Sequence, residues 1–322
     1  MKNVLQDLPK PFFVLAPMDD VTETVFRRVV GECAAPDLYF TEFVNVDALQ
    51  SPGREAALRR LKFTDAERPL IAQIWGKTPE NFRKTAAELV EMGFDGVDIN
   101  FGCPDKAVVK NGCCGGMIQF PDQAVEIIQA TKEGLNGQLP LSVKTRIGFR
   151  EFDEQWLRTV FSQQLDMVSV HMRTVREMSK VPAHWELATR VRELRDEIAP
   201  DTLLVGNGDV MNHGQALERA NSSGVEGIMI GRGIFQDPYA FAEVSPWDSL
   251  SPREKLTIFQ RHVQLFSETW EEGERPIAPL NKFCKIYVNG FDGAKDMRVT
   301  LMNCRSISEL LRQVEELVRV QS

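Results

Sequence analysis

The residue of this 322-residue chain best placed to do chemistry is a cysteine caught between two chain-breaking residues, in Asn100-Phe101-Gly102-Cys103-Pro104. The apolar run from Val97 carries the chain into a core, and Gly102 and Pro104 stop it. Cys103 therefore falls in a constrained turn just past a strand end, where a side chain can reach a pocket. A thiol with an unperturbed pKa of about 8.5 keeps its proton near neutrality and can give it up. A small apolar core position is the commoner fate of a free cysteine. Against it stands the fact that the other strand candidates also end on groups able to hold a ligand: Met18, Glu42, Gln73, Lys144 with Arg146, His171 with Arg173, Asn207-Gly208-Asp209, and Gly231-Arg232.

The last two of these sites are rich in glycine. Gly206-Asn207-Gly208-Asp209 and Gly231-Arg232-Gly233 let backbone N–H groups approach a ligand closely, and Arg232 adds charge, which together suit a phosphate. Tight turns would use the same glycines. Neither segment has the Gly-x-Gly-x-x-Gly spacing of a dinucleotide fingerprint. Lys144 lies among Leu141, Val143 and Ile147, which weakens its reading as a surface lysine. There it could face an electron-rich ring or offset negative charge developing on one. His171 could hydrogen-bond the same ligand, and a histidine satisfied within a core is as good a reading of that residue alone. No metal is expected, because Cys103, Cys113 and Cys114 lack a His or Cys partner at ligand spacing.

These residues need a scaffold that brings strand ends together. Short apolar runs at residues 12–18, 38–43, 70–75, 96–102, 141–146, 167–173, 203–209 and 227–233 alternate with helical patterns at 22–31, 78–93, 122–134, 153–163, 185–198 and 212–220. Repeated βα units of this kind point to an α/β fold, a (β/α)8 TIM barrel over about residues 10–245, whose strand carboxyl ends share one mouth. Pro246 and Ser251-Pro252 then punctuate the chain. Beyond them Leu256, Phe259, Val263 and Phe266, and later Leu310, Leu311, Val314, Leu317 and Val318, recur at helical spacing. The expected division is a catalytic barrel, residues 1–245, and a C-terminal helical domain, residues 246–322.

Composition sets the outer limits. With 43% hydrophobic and 26% charged residues the chain reads as a soluble globular protein. No run is long enough to span a bilayer, and the N-terminal apolar patch is broken by Pro9, Pro11 and Pro17, so a cytoplasmic protein is expected. Six unpaired cysteines fit a reducing compartment. A net charge of −8 weighs mildly against a nucleic-acid partner, although Lys282, Lys285, Lys295, Arg298 and Arg305 form a basic cluster that, on its own, reads as a solvated helix face.

The motifs Ala16-Pro17-Met18, Thr41-Glu42, Asn100-x-Gly102-Cys103-Pro104, Lys144-x-Arg146-x-Gly148, His171-x-Arg173-Thr174, Asn207-Gly208-Asp209 and Gly231-Arg232-Gly233, in this order, resemble those of the tRNA-dihydrouridine synthases. The resemblance covers nearly the whole chain. It implies a flavoenzyme that uses FMN, with NADPH as reductant, to reduce uridine in tRNA; a monomer is expected. By the same resemblance Gln73, Lys144, His171, Asn207, Gly208, Asp209, Gly231 and Arg232 hold FMN, and Pro17 and Met18 lie against its ring. Glu42, Asn100, Arg146 and Arg173 face the uracil, and Cys103 is the acid. By the same resemblance the helical domain, with Lys282, Lys285, Arg298 and Arg305, supplies the RNA surface. Two departures from the family pattern are Met172, in place of a usual glycine and expected to alter the substrate pocket, and the Gly112-Cys113-Cys114-Gly115-Gly116 loop. The competing reading is a small-molecule FMN oxidoreductase of the dihydroorotate dehydrogenase type, which has no evident use for the terminal helices.

Overall fold

The computed structural model describes residues 3–320, so the outermost residues of both expected domains lie outside the described residues. Its centre is a parallel sheet of β1 (Phe12–Leu15), β2 (Tyr39–Phe40), β3 (Val44–Asn45), β4 (Leu70–Trp75), β5 (Gly96–Asn100), β6 (Leu141–Arg146), β7 (Met167–His171), β8 (Leu203–Asn207) and β9 (Gly227–Ile230). The strands run in the order β1-β9-β8-β7-β6-β5-β4-β2, with β3 alongside the end of β4. A parallel bridge between Val14 and Leu38 joins β1 to β2 and closes the ring. The fold is thus the expected TIM-like barrel.

Alternation along each strand sorts the side chains into two layers. Phe12, Val14, Ile71, Met167, Val205 and Met229 fill the inside of the barrel. Phe13, Leu15, Ile74, Val97, Ile99, Val143, Val168, Val170, Ile228 and Ile230 face outward and pack under the helices. Counting by twos from these positions puts Gln73, Asp98, Asn100, Ser142, Lys144, Arg146, Ser169, His171 and Asn207 on the inward face. The interior is therefore apolar where the strands begin and polar towards their carboxyl ends.

The outer helices are α1 (Thr24–Ala34), α2 (Val46–Leu49), α3 (Arg54–Leu58), α4 (Pro79–Glu91), α5 (Lys106–Lys110), α6 (Pro121–Leu135), α7 (Glu154–Phe161), α8 (Ala188–Ile198) and α9 (His213–Ser223). Their ends follow local chemistry: Asn212 accepts from the Gln215 N–H to open α9, and Gly224, at φ 71°, closes it. No strand among the described residues follows β9. The chain ends in α10 (Pro252–Thr269), opened by a Ser251/Glu254 capping box, then α11 (Ile277–Tyr287), α12 (Ala294–Met302) and α13 (Ile307–Val320). This group is bound to the barrel: α10 packs on α1, Phe283 stacks on Phe26 with ring centroids 4.8 Å apart, and Trp270 Nε1 donates to Glu23 Oε2 at 3.2 Å. No helix among the described residues is long and apolar enough to cross a membrane.

Several strands stop two or three residues earlier than the apolar pattern predicts; of the expected 38–43 strand only β2 forms, and β3 follows just beyond it. The sequence there is still compatible with extended chain, but the backbone peels away from its neighbours to enter the mouth. Met18, Glu42, Cys103, Arg173, Gly208, Asp209, Gly231 and Arg232 therefore sit just past the strands, whereas Gln73, Asn100, Lys144, Arg146, His171 and Asn207 are in their last residues.

Candidate active site

Four side chains form a hydrogen-bonded line from the barrel interior to the cysteine. Asn100 Oδ1 accepts from the N–H groups of both Gly102 and Cys103, at 3.0 and 2.9 Å, and so fixes the turn. Asn100 Nδ2 donates to Gln73 Oε1 at 2.9 Å, and Gln73 Nε2 donates to Asp98 Oδ2 at 2.7 Å. Ser142 Oγ donates to the other Asp98 oxygen at 2.6 Å. A carboxylate only accepts, so Asp98 dictates which way the Gln73 amide points, and Gln73 in turn orients Asn100. Complete burial pushes the Asp98 pKa up to about 7, against the pull of Ser142, Gln73 and Lys144.

Cys103 is half-buried and lines a cavity of about 290 Å³ at the mouth. Burial raises its pKa above the ordinary thiol value, ahead of the opposing pull of the Asp105 N–H, Arg146 and Lys144, so the thiol keeps its proton near neutrality. The Gly112–Gly116 loop folds over its backbone, with the Gly115 N–H donating to the Cys103 carbonyl at 3.1 Å. A Cβ at Gly115 would meet that carbonyl at 2.8 Å, which explains the glycine. Cys113 and Cys114 are buried.

The facing walls are cationic. Lys144 Nζ lies 3.4 Å from Asn207 Oδ1, and burial together with Arg146 brings its pKa down to about 8. His171 is held well below its ordinary pKa by burial and by Arg146, Lys144, Arg173 and Arg232. It is neutral, so its Nε2 accepts from Arg173 Nη1 at 3.1 Å. Arg173 also donates to Val181 O at 2.6 Å and pairs with Asp209, whose second oxygen takes Arg232 Nη2 at 3.0 Å. Burial works to raise the Asp209 pKa, but Arg173, the Ala183 N–H and Arg232 outweigh it and hold the carboxyl low. Arg146 ties the mouth loops together, donating to Gly102 O at 2.7 Å, Thr174 O at 3.0 Å and Met178 O at 2.9 Å. Gly208, at φ 132°, leaves no room for a Cβ, which would lie 2.8 Å from that of Ala183.

Pro17, Met18, Asn100, Cys103, Lys144, Arg146, His171, Arg173, Asn207, Asp209, Gly231 and Arg232 all line this one cavity. Gln73, Gly208 and Glu42 do not. Gln73 lies beneath, in the line to Asp98, and the Gly208 carbonyl accepts from Trp185 Nε1 at 2.7 Å. Glu42 is fully buried and takes Arg275 Nη2 on both oxygens, at 2.8 and 2.9 Å, with the Asp20 N–H at 2.7 Å. Asp19, Asp20 and Glu42 cluster, but Arg275 and Arg60 already pair with them. Lys282 and Lys285 are exposed on α11, and Arg298 donates to Val288 O at 2.7 Å; none reaches the cavity lining. Met172 packs in the outward core, so it does not alter the pocket as expected: alternation from His171 turns its side chain away from the mouth. The sequence reading missed Asp98 and Arg275. A carboxylate between Val97 and Ile99 in a strand was a signal for the first; nothing local marked the second.

The family model described as Dihydrouridine synthase (Dus) matches residues 14–321. The chain belongs to the dihydrouridine synthase family. Among its relatives, a probable tRNA-dihydrouridine synthase of Staphylococcus aureus (strain COL) is 48% identical over 318 residues, covering 98% of this chain and 95% of the relative. The probable tRNA-dihydrouridine synthase 2 of Bacillus subtilis (strain 168) is 47% identical over 321 residues, covering 99% of this chain and 97% of the relative. Among solved structures, a morphinone reductase variant in complex with tetrahydroNAD matches with a TM-score of 0.51 at 12% identity, over 74% of this chain and 89% of that one, a likeness of fold.

Proposed function

We propose that this family member reduces uridine in tRNA to 5,6-dihydrouridine, with FMN as cofactor, NADPH as reductant and Cys103 as the acid. The observation that carries the reading is the placement of a protonated thiol, clamped by Asn100, at the rim of a cavity whose other walls hold Lys144, His171 and Arg232. The names of the relatives supply the tRNA.

The cavity suits FMN on its donor set. Lys144, Arg146, Arg173 and Arg232 line it against one carboxylate, Asp209; burial first and the neighbouring cations second lower Lys144 and His171, and an anion would relieve the repulsion among them. Arg232 with the Gly231 and Gly233 backbone suits a phosphate. Space is kept for that turn by glycine, since a Cβ at Gly233 would lie 2.6 Å from Met211 O. Lys144, His171 and Asn207 would meet the polar edge of the ring, and Pro17 and Met18 its face. Gln73 and Gly208 would act from beneath by holding these groups. FMN held there, with NADPH as reductant, would supply the hydride that C6 of the uracil accepts.

Cys103 then delivers its proton to C5, and the thiolate left behind is compensated by Arg146 and Lys144. Asn100 keeps the thiol on a fixed path by holding the Cys103 N–H, which is where the positional part of the rate arises. Arg146 and Arg173 shape the opening for the base through their backbone contacts, and Glu42 supports the Met18–Asp20 segment from behind through Asp20. A base paired in folded RNA must be extruded to enter. Lys282, Lys285 and Arg298 lie outside the cavity and would serve the body of the RNA. The test is nucleoside mass spectrometry of unmodified tRNA incubated with protein, FMN and NADPH. Dihydrouridine is expected; its absence from a protein that binds FMN and oxidises NADPH would refute the reading.

A further inference from the structure

A second and much larger concavity, of about 1130 Å³, opens beside the mouth and shares Pro104 and Met178 with the smaller cavity. Its walls come from the segments that follow four neighbouring strands, β4 to β7, together with Asp47 of α2 after β3. Lys77, Lys106, Lys110, Arg176 and Lys180 line it, all exposed, against a single carboxylate, Asp47. The Asp47 carboxylate is already engaged by the Lys77 backbone N–H and by Asn81 Nδ2, at 3.1 and 2.8 Å. None of the five cations forms an ion pair among the described residues. In a chain of net charge −8, five cations gathered around one carboxylate that is already engaged call for an anionic partner.

The same concavity carries aromatic surface. Phe120 is 49% exposed, one of few large apolar side chains so placed, and Phe149 lies beneath Arg176, whose guanidinium is 5.3 Å from the ring centroid. Cations around an open ring, here that of Phe120, are the chemistry that holds single-stranded nucleic acid, phosphates on the charges and a base on the ring. We propose that this groove binds the RNA strand on one side of the extruded uridine, its backbone crossing Pro104 and Met178 on the way out of the cavity. The inference rests on the protein acting on RNA. It assigns the nearest phosphate contacts to the barrel rim rather than to the Lys282 and Lys285 face.

The test is binding of an unmodified tRNA transcript, over a series of salt concentrations, to protein carrying Lys106→Gln, Lys110→Gln and Lys180→Gln together. The comparison protein carries Lys10→Gln, Lys84→Gln and Arg192→Gln, an equal loss of charge on other faces. If the groove holds three phosphates through these lysines, the slope of log K against log salt falls by about 2, and affinity at low salt drops about tenfold or more. The comparison protein should match the unaltered one. Phe120→Ala should weaken binding while leaving the salt slope in place. Unchanged affinity and slope in the groove variant, with dihydrouridine still formed by the unaltered protein, would overturn the groove alone. A raised KM for NADPH with RNA affinity intact would overturn it in favour of a dinucleotide. An unaltered protein that binds no tRNA would overturn the parent reading and the groove's partner together.

Discussion

Glu42 is fully buried and both of its oxygens are contacted by one guanidinium, so Arg275→Met would strand a charge. The remaining partner is a single N–H, from Asp20. Breaking a buried pair from one side costs about 3–5 kcal/mol, because the abandoned ion keeps its desolvation penalty. The converse change, Glu42→Gln, should cost less: Arg275 keeps the face of Trp270, 5.4 Å from the ring centroid, and the exposed Asp20 carboxylate 3.8 Å away. The double variant removes both charges and should return to within about 1–2 kcal/mol of Glu42→Gln. The assay is a double-mutant cycle on the first urea transition, each variant measured at one pH and ionic strength. A loss under about 1 kcal/mol in Arg275→Met, or a double variant no more stable than Arg275→Met, would refute the claim that this pair is an isolated buried unit.

Three further outcomes are expected. Cys103→Ala should retain FMN, by its visible absorbance, yet form dihydrouridine at least about a hundredfold more slowly, the low end of what a positioned acid contributes; loss of flavin on purification would make Cys103 structural. Asp98 has a folded pKa of about 7 against about 3.9 unfolded, so its protonation stabilises the fold fully below about pH 4, and that contribution is lost as pH rises through 7. Asp98→Asn, which can keep the amide line if the Ser142 hydroxyl turns to accept, should therefore gain stability relative to the unaltered protein above pH 7 and keep its turnover, whereas Asp98→Leu should lose turnover with FMN still bound; equal turnover in both would remove Asp98 from the positioning of Cys103. His171 is depressed below its unfolded pKa of about 6.5, so stability should fall as pH drops through that value, and His171→Asn should flatten the fall in thermal melts between pH 7 and 5.

The barrel was legible because strand alternation and turn residues are local signals, and because polar residues at the ends of apolar runs must go somewhere wet. Lys144, His171 and Asn207 could be gathered into one site for that reason alone. Glu42 was placed at the same rim by its position after Phe40, yet the contact that decides its surroundings comes from Arg275, 233 residues later, and no spacing in the chain announces it. The strand ends were overrun because propensity does not record where a ladder loses its neighbour. The large basic groove was invisible for a related reason: Lys77, Lys106 and Lys180 are scattered in sequence, and only the ring of strands makes them adjacent.

The ring itself is thinnest where it closes. Between β1 and β2 it depends on the bridge from Val14 to Leu38, supported by the Leu15 N–H on Leu38 O and the Asp37 N–H on Phe13 O, and β2 is two residues long. The terminal helices are fastened across that same seam, through α10 on α1, Trp270 on Glu23 and Arg275 on Glu42. They act as a clasp on a hoop. A shortened gene ending before Pro252 would thus yield a barrel free to gape at the join, with the amides of β1 and β2 the first to exchange with solvent, and a terminal segment that cannot be discarded or traded as an independent cassette.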